Sequence, residues 1–204
     1  MKIVVFDSGR GSVFVTKLLK NELLDEKIIN YQDKKNFPYG QKSTEELYRA
    51  MVSTITYIEK RFKPDIIVMA SITPSLEVLK KVHRLQLTKG KIIGASLPFS
   101  QAKGETVLLA TSRTIKSLKK SNVNYIAVTD IIHLIQTKDE SLREEVEKML
   151  KQIPYFDTII LGSTHLGYIK KIIQKLYPNK LILDPYQKII EDVKLVLFGR
   201  KIFL

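Results

Sequence analysis

Asp65–Thr73 reads DIIVMASIT, and Asp157–His165 reads DTIILGSTH. Each is an Asp, an apolar run, a small residue and then a serine. A strand in a parallel sheet is covered on both faces, so it reads as continuous hydrophobic sequence rich in β-branched residues, and both runs have that length and content. Both end in small polar residues, at the point where a strand of an open α/β sheet delivers side chains into a crevice. The repetition predicts two similar α/β lobes with parallel sheets, each with a half-site ending on a serine, Ser71 in one and Ser163 in the other.

On either side of these runs, strand-like and helix-like segments alternate, the signature of parallel strands joined by crossover helices. Lys2–Phe6 is a strand, Asp7–Ser12 a glycine turn, and Phe14, Leu18, Leu19 and Leu23 recur at helical spacing. A short strand at Ile28–Tyr31 and an irregular stretch at Asn36–Gln41 follow. Ser43 opens a long helix: its capping box with Glu46 precedes Leu47, Met51, Ile55, Ile58 and Phe62 on one face. A helix over Pro74–Arg84 leads to a strand at Lys91–Gly94.

The second round repeats this order. A strand at Thr106–Ala110 gives way to a turn at Thr111–Thr114 and a helix, then to a strand at Asn124–Val128. Asp139–Gln152 reads as an amphipathic helix with Leu142, Val146, Met149 and Leu150 inward. After the repeated run come a helix with Ile169, Ile172, Ile173 and Leu176, a strand at Leu181–Leu183, and a closing helix with Ile189, Ile190, Val193 and Leu197. Crossings near residues 94–100 and 184 predict lobe 1 as 1–93 plus 185–204 and lobe 2 as 94–184.

With 204 residues, 44% of them hydrophobic, the chain can build one large core or two small ones. No apolar stretch approaches the roughly 18 to 20 residues that span a bilayer. The opening MKIVVFDSG runs straight into a polar turn, so the sequence predicts a cytoplasmic protein with no membrane partner. There is no cysteine, which removes disulfides, thiolate zinc sites and cysteine nucleophiles, and three histidines do not assemble a metal cluster; no metal and no metal chemistry are expected. The formal charge of +13 would suit a nucleic-acid binder. The basic pairs Lys34-Lys35, Lys80-Lys81, Lys119-Lys120 and Lys170-Lys171 are scattered over polar helix faces, however, which reads as solvated surface and makes nucleic acid an unexpected partner. A positive field also favours small carboxylate ligands. The Gly9/Gly11 turn lacks the third glycine of a dinucleotide fingerprint, since residue 14 is Phe, and FDSG lacks the second Asp of the phosphatase DxD pattern.

Five segments in order together resemble the aspartate/glutamate racemase superfamily, most closely glutamate racemase. FDSGRGS (6–12) is similar to the family's FDSG turn, FPYG (37–40) to its PYG segment and MASIT (69–73) to its first ACNT motif. LLATSRTIKS (108–117) is similar to its ATxxT segment, and LGSTH (161–165) to its GCTH motif. The resemblance implies two similar flavodoxin-like lobes with the active-site crevice between them. It also implies a cofactor-independent mechanism in which two cysteines face opposite sides of the substrate Cα, one thiolate removing the proton and the other thiol returning it. An acidic amino acid or small dicarboxylate is the implied ligand, and a homodimer is among the implied assemblies.

Both cysteine positions are serine here, Ser71 and Ser163. A thiol, with a pKa of about 8.5, is readily poised as the anion, whereas a serine hydroxyl needs a strong partner base. Two-thiol racemisation is therefore expected to be impaired or lost. Ile72 stands where the family has Asn, removing an amide that would bind polar substrate groups, and Ser12 stands where it has Gly; these changes favour natural divergence over an engineered Cys-to-Ser variant of an active racemase. A catalytically silent homologue with a ligand-binding or partner-interaction role is the alternative.

The resemblance assigns the surviving site residues as follows. Asp7 would assist the group at Ser71, and Ser8 would hold substrate, although Asp7 also suits a plain turn cap. His165 would assist the group at Ser163 or act as base itself. Pro38, Tyr39 and Gly40 form either a surface turn or a substrate-facing one. Thr73, Thr114 and Thr164 offer hydroxyls at strand ends, where they bind a carboxylate or merely cap helices. His83 and His133, in helix-like apolar segments, read as structural.

Overall fold

The computed structural model describes residues 1–118 and 123–199. The Lys119-Lys120 pair lies outside them; the other basic pairs have at least one exposed member each. The chain divides into two compact units, one made of Met1–Ser96 with the segment from Tyr186 onward, the other of Leu97–Pro185.

In the first unit the strands are β1 (Lys2–Asp7), β2 (Lys27–Gln32), β3 (Ile66–Met69) and β4 (Lys91–Gly94), all parallel in the order β2-β1-β3-β4. The second unit repeats this with β5 (Thr106–Ala110), β6 (Asn124–Ala127), β7 (Thr158–Leu161) and β8 (Leu181–Leu183) in the order β6-β5-β7-β8. Position for position, the orders are the same, so the repeat read from sequence is a repeat of topology. The two DII/DTII runs are β3 and β7, central strands whose residues are all buried.

Helix α1 spans Gly11–Glu22, α2 Thr44–Phe62, α3 Ile72–Glu77 and α4 Leu79–His83. The α2 capping box is present in both directions, with the Ser43 hydroxyl accepting from the Glu46 N–H (3.2 Å) and the Glu46 carboxylate accepting from the Ser43 N–H (2.7 Å). Most of the predicted face is buried: Leu47, Met51, Ile55 and Ile58 join Val4, Phe6, Ile67 and Met69 of the sheet in one core, and Phe62 packs against it half-buried. On α1 the stripe is shifted, with Val15, Leu19 and Leu23 buried while Phe14 and Leu18 are half-buried. The helix predicted over Pro74–Arg84 starts earlier and is broken at Val78 (φ −126°, ψ −11°), whose side chain is buried. Pro74 sits in the first turn of α3, where its missing N–H costs nothing.

The second unit holds α5 (Ser112–Ser117), α6 (Thr129–Thr137), α7 (Leu142–Lys151) and α8 (Lys170–Leu176). The helix-like segment around His133 is α6, and although it is rich in β-branched residues, Ile131 and Ile135, four apart, bury one face against the sheet. The helix expected from Asp139 begins at Leu142, because the Asp139 carboxylate accepts from the Ser141 N–H (2.9 Å) and hydroxyl (2.7 Å) and holds those residues in a turn. On α8, Ile173 is buried but Leu176 is exposed, so the inward face is narrower than its sequence suggests. The closing helix α9 (Tyr186–Phe198) belongs to the first unit, where it packs on α1 and β4. Among the described residues no helix is long and apolar enough to cross a membrane.

Candidate functional site

In the order β2-β1-β3-β4 the chain leaves β1 and β3 in opposite directions, and ligand crevices of doubly wound sheets open at that switch point, beyond the strands' carboxyl ends. Asp7 ends β1, and Ser71 follows β3 by two residues. The register pairs Phe6 with Met69, and Ala70 N–H donates to the Phe6 carbonyl (2.8 Å), so the two strand ends are adjacent. Asp7 is buried, and burial pushes its pKa from 3.8 to about 7; the Ser8 and Gly9 backbone N–H groups and the Ser8 and Ser71 hydroxyls pull the other way. Both readings of Asp7 therefore hold in one geometry: its Oδ1 accepts from Ser8 N–H (2.6 Å) as a turn cap does, and its carboxyl lies within reach of the Ser71 hydroxyl.

Ser71 is half-buried, and its carbonyl accepts from the Ser75 hydroxyl (2.7 Å). Ile72 and Thr73 are buried at the start of α3. Ser8 is buried, and its hydroxyl accepts from the Tyr39 backbone N–H (3.4 Å). Pro38 and Gly40 are half-buried, whereas the Tyr39 side chain is turned into the core, with its hydroxyl donating to Asp33 Oδ2 (2.9 Å). Thus it is the backbone of Tyr39 that touches this half-site.

The second unit has the equivalent switch point between β5 and β7. Gly162 N–H donates to the Leu109 carbonyl (2.7 Å), and a Cβ at Gly162 would lie 2.9 Å from that oxygen and 2.7 Å from the Ala110 Cβ, so only glycine lets β7 finish this close to β5. Ser163, Thr164 and His165 follow, all buried. The Ser163 hydroxyl accepts from the His165 backbone N–H (3.3 Å), and Ser163 Oγ lies 3.5 Å from His165 Nδ1. That separation is at the outer limit of a hydrogen bond. Thr114, buried beyond the end of β5, has its N–H (3.1 Å) and its hydroxyl oxygen (3.0 Å) engaged by the Thr111 hydroxyl, the capping arrangement.

The structure thus brings Asp7, Ser8 and Ser71 together with the Tyr39 backbone in one unit, and Ser163 with Thr164 and His165 in the other. His83 and His133 are exposed, not the packed residues their apolar neighbours suggest. Among the described residues no group of three or more His, Asp or Glu could hold a metal ion. Sequence reasoning missed Asp33, a buried carboxylate at the end of β2, and its partner Thr54. The available signal was Thr54 itself, a polar residue on the otherwise apolar buried face of α2.

No family model matches the chain. It is 30% identical over 217 residues to the glutamate racemase of Aliivibrio fischeri, covering 98% of this chain and 82% of that protein. To the glutamate racemase of Carboxydothermus hydrogenoformans it is 32% identical over 213 residues, covering 94% and 78%. Among solved structures it is similar in fold to Escherichia coli glutamate racemase in complex with L-glutamate and the activator UDP-MurNAc-Ala, with a TM-score of 0.83 at 21% identity over 96% of this chain and 82% of that one. The Thermus thermophilus glutamate racemase in complex with β-chloro-D-alanine gives 0.81 at 22% identity over 98% and 81%. Likeness in sequence along nearly the whole chain, over a twice-built parallel α/β fold whose strand ends carry the motifs, shows that this chain belongs to the glutamate racemase family.

Proposed function

We propose that the protein binds an acidic amino acid of the glutamate class, and that its two-thiol racemisation is impaired or lost because Ser71 and Ser163 replace the thiols. The observation that carries this reading is the equivalence of the two serines: each follows the second central strand of its unit and presents a hydroxyl beside a potential proton acceptor, Asp7 in one case and His165 in the other. Each pKa unit by which an alcohol exceeds a thiol adds about 1.36 kcal/mol to forming the reactive anion. Neither acceptor is placed to offset several such units. Asp7 has a pKa near 7, and His165 Nδ1 is 3.5 Å away from the Ser163 oxygen. The glutamate ligand of the E. coli structure, and the substrate in the name of the matched relatives, support the ligand class.

The test is solvent deuterium exchange at Cα of L- and D-glutamate and aspartate, followed by proton NMR, with binding titrated in parallel. The expected result is binding of glutamate or aspartate without exchange by the native protein, and exchange gained when Ser71→Cys and Ser163→Cys are combined. Exchange by the native protein that disappears in His165→Ala would overturn the loss of chemistry and establish a serine/histidine enzyme. Absence of binding by the native protein and the double variant alike would overturn the ligand assignment.

A further inference from the structure

Asp33 carries a buried carboxylate with side-chain partners from three segments of the first unit. Its Oδ2 accepts from the Tyr39 hydroxyl (2.9 Å) and the Thr54 hydroxyl (2.7 Å), and the Asn36 amide donates to both oxygens (3.0 and 2.8 Å). Its backbone N–H donates to the Asp7 carbonyl (2.8 Å). The side-chain donors come from separate places: the turn after β2, the Tyr39–Gln41 turn and the middle of α2. All of them are neutral. A buried hydroxyl in the apolar face of α2 costs stability unless it is paired, and the Thr54 hydroxyl is paired with Asp33. Tyr39 remains a donor, because burial first, and then the charges of Asp33 and Asp7, push the phenol pKa above its ordinary value.

We propose that Asp33 is a positioning residue of the first half-site: anchored on Thr54 of the rigid α2, it clasps Tyr39 and so holds the Pro38–Gly40 turn against Ser8 and Asp7. The linkage runs from Thr54 to Asp33 to the Tyr39 hydroxyl, through the Tyr39 backbone N–H to the Ser8 oxygen, and from the Ser8 N–H to the Asp7 carboxyl. The turn is thereby held at the Ser8 hydroxyl, next to the buried Asp7, and its role is to help keep water from that carboxyl. Asp33 itself does not touch substrate; its effect reaches the site through Tyr39 and Ser8.

The decisive readout is the titration of the Asp7 carboxyl by carbon-13 NMR in the full chain, which a purely structural role for Asp33 would not move. In the native protein the midpoint is expected near 7. In Asp33→Asn, whose amide nitrogen cannot accept from Tyr39 and Thr54 together, it is expected to fall by about one pH unit or more as water reaches Asp7. Tyr39→Phe removes only the clasped hydroxyl, keeps the ring in the core and is expected to shift the midpoint the same way, which covers the case in which Asp33→Asn does not fold. Thr54→Ser, which retains the hydroxyl, should leave the native midpoint. A second readout, glutamate affinity weakened by about tenfold in both shifting variants, rests on the ligand reading above. If the native protein binds no glutamate, that reading alone fails and the Asp7 midpoint still decides this one. A lowered melting temperature with an unmoved Asp7 midpoint would overturn the positioning role.

Discussion

Replacing Asp7 by Asn should change how stability depends on pH, and the size of the change follows from burial. In the folded protein the Asp7 carboxyl has a pKa of about 7, against an ordinary 3.8, because burial disfavours the charged form. Between those values the folded state holds a proton that the unfolded state has released, so stability falls as pH rises. The contribution of the neutral group is fully present below 3.8, is lost progressively up to about 7 and is flat above it. The span from 3.8 to about 7, at about 1.36 kcal/mol per pH unit, comes to about 4 kcal/mol. Asn keeps an oxygen that accepts from the Ser8 N–H and never ionises. Urea denaturation of the native protein and Asp7→Asn at pH 4, 6 and 8 isolates the effect, since all other titrations cancel in the difference. Native Asp7 should lose about 4 kcal/mol relative to the variant between pH 4 and 8, a midpoint change of roughly 2 M urea at an m-value of about 2 kcal/mol/M. Parallel pH profiles would refute the reasoning, as would a native protein that gains stability relative to the variant as pH rises.

Three further outcomes follow from packing and capping. Ser43→Ala removes one half of the α2 capping box and should cost about 1 kcal/mol by urea denaturation, with circular dichroism showing the helix retained. Ile55→Ala, at a fully buried position on the same helix, should cost about 2 to 5 kcal/mol; a loss under 1 kcal/mol would mean that the core of the first unit collapses around the gap. Gly162→Ala puts a methyl 2.9 Å from the Leu109 carbonyl and 2.7 Å from the Ala110 Cβ, so it should cost about 1 to 3 kcal/mol and shift the amide resonances of Ser163 and His165. Ala70, at the corresponding position after β3, shows that the first unit admits the methyl that the second excludes.

Local pattern carried the strands and most helices. Continuous apolar runs of β-branched residues identified β3 and β7 because a doubly covered strand has no polar face, and Ser43 with Glu46 marked the start of α2 because unpaired N–H groups at a helix start need acceptors nearby in sequence. Where the pattern misled, a tertiary contact had overridden it. α4 is separate from α3 because Val78 is pulled into the core at non-helical dihedrals.

The motifs likewise placed Asp7, Ser71, Ser163 and His165 at strand ends from sequence alone, since strand ends are fixed by where the apolar runs stop. Their chemistry was not in the sequence. The Asp7 pKa depends on how completely β1, β3 and their turns exclude water, and the use of the Tyr39 backbone rather than its ring depends on Asp33, which lies 6 positions from Tyr39 and 21 from Thr54 along the chain. Periodicity and turn signals act over a few residues and survive in the one-dimensional string. Burial and hydrogen bonding across elements exist only once distant segments have packed, so the sequence by itself determined which groups stand at the strand ends, and the tertiary structure decided their protonation and their partners.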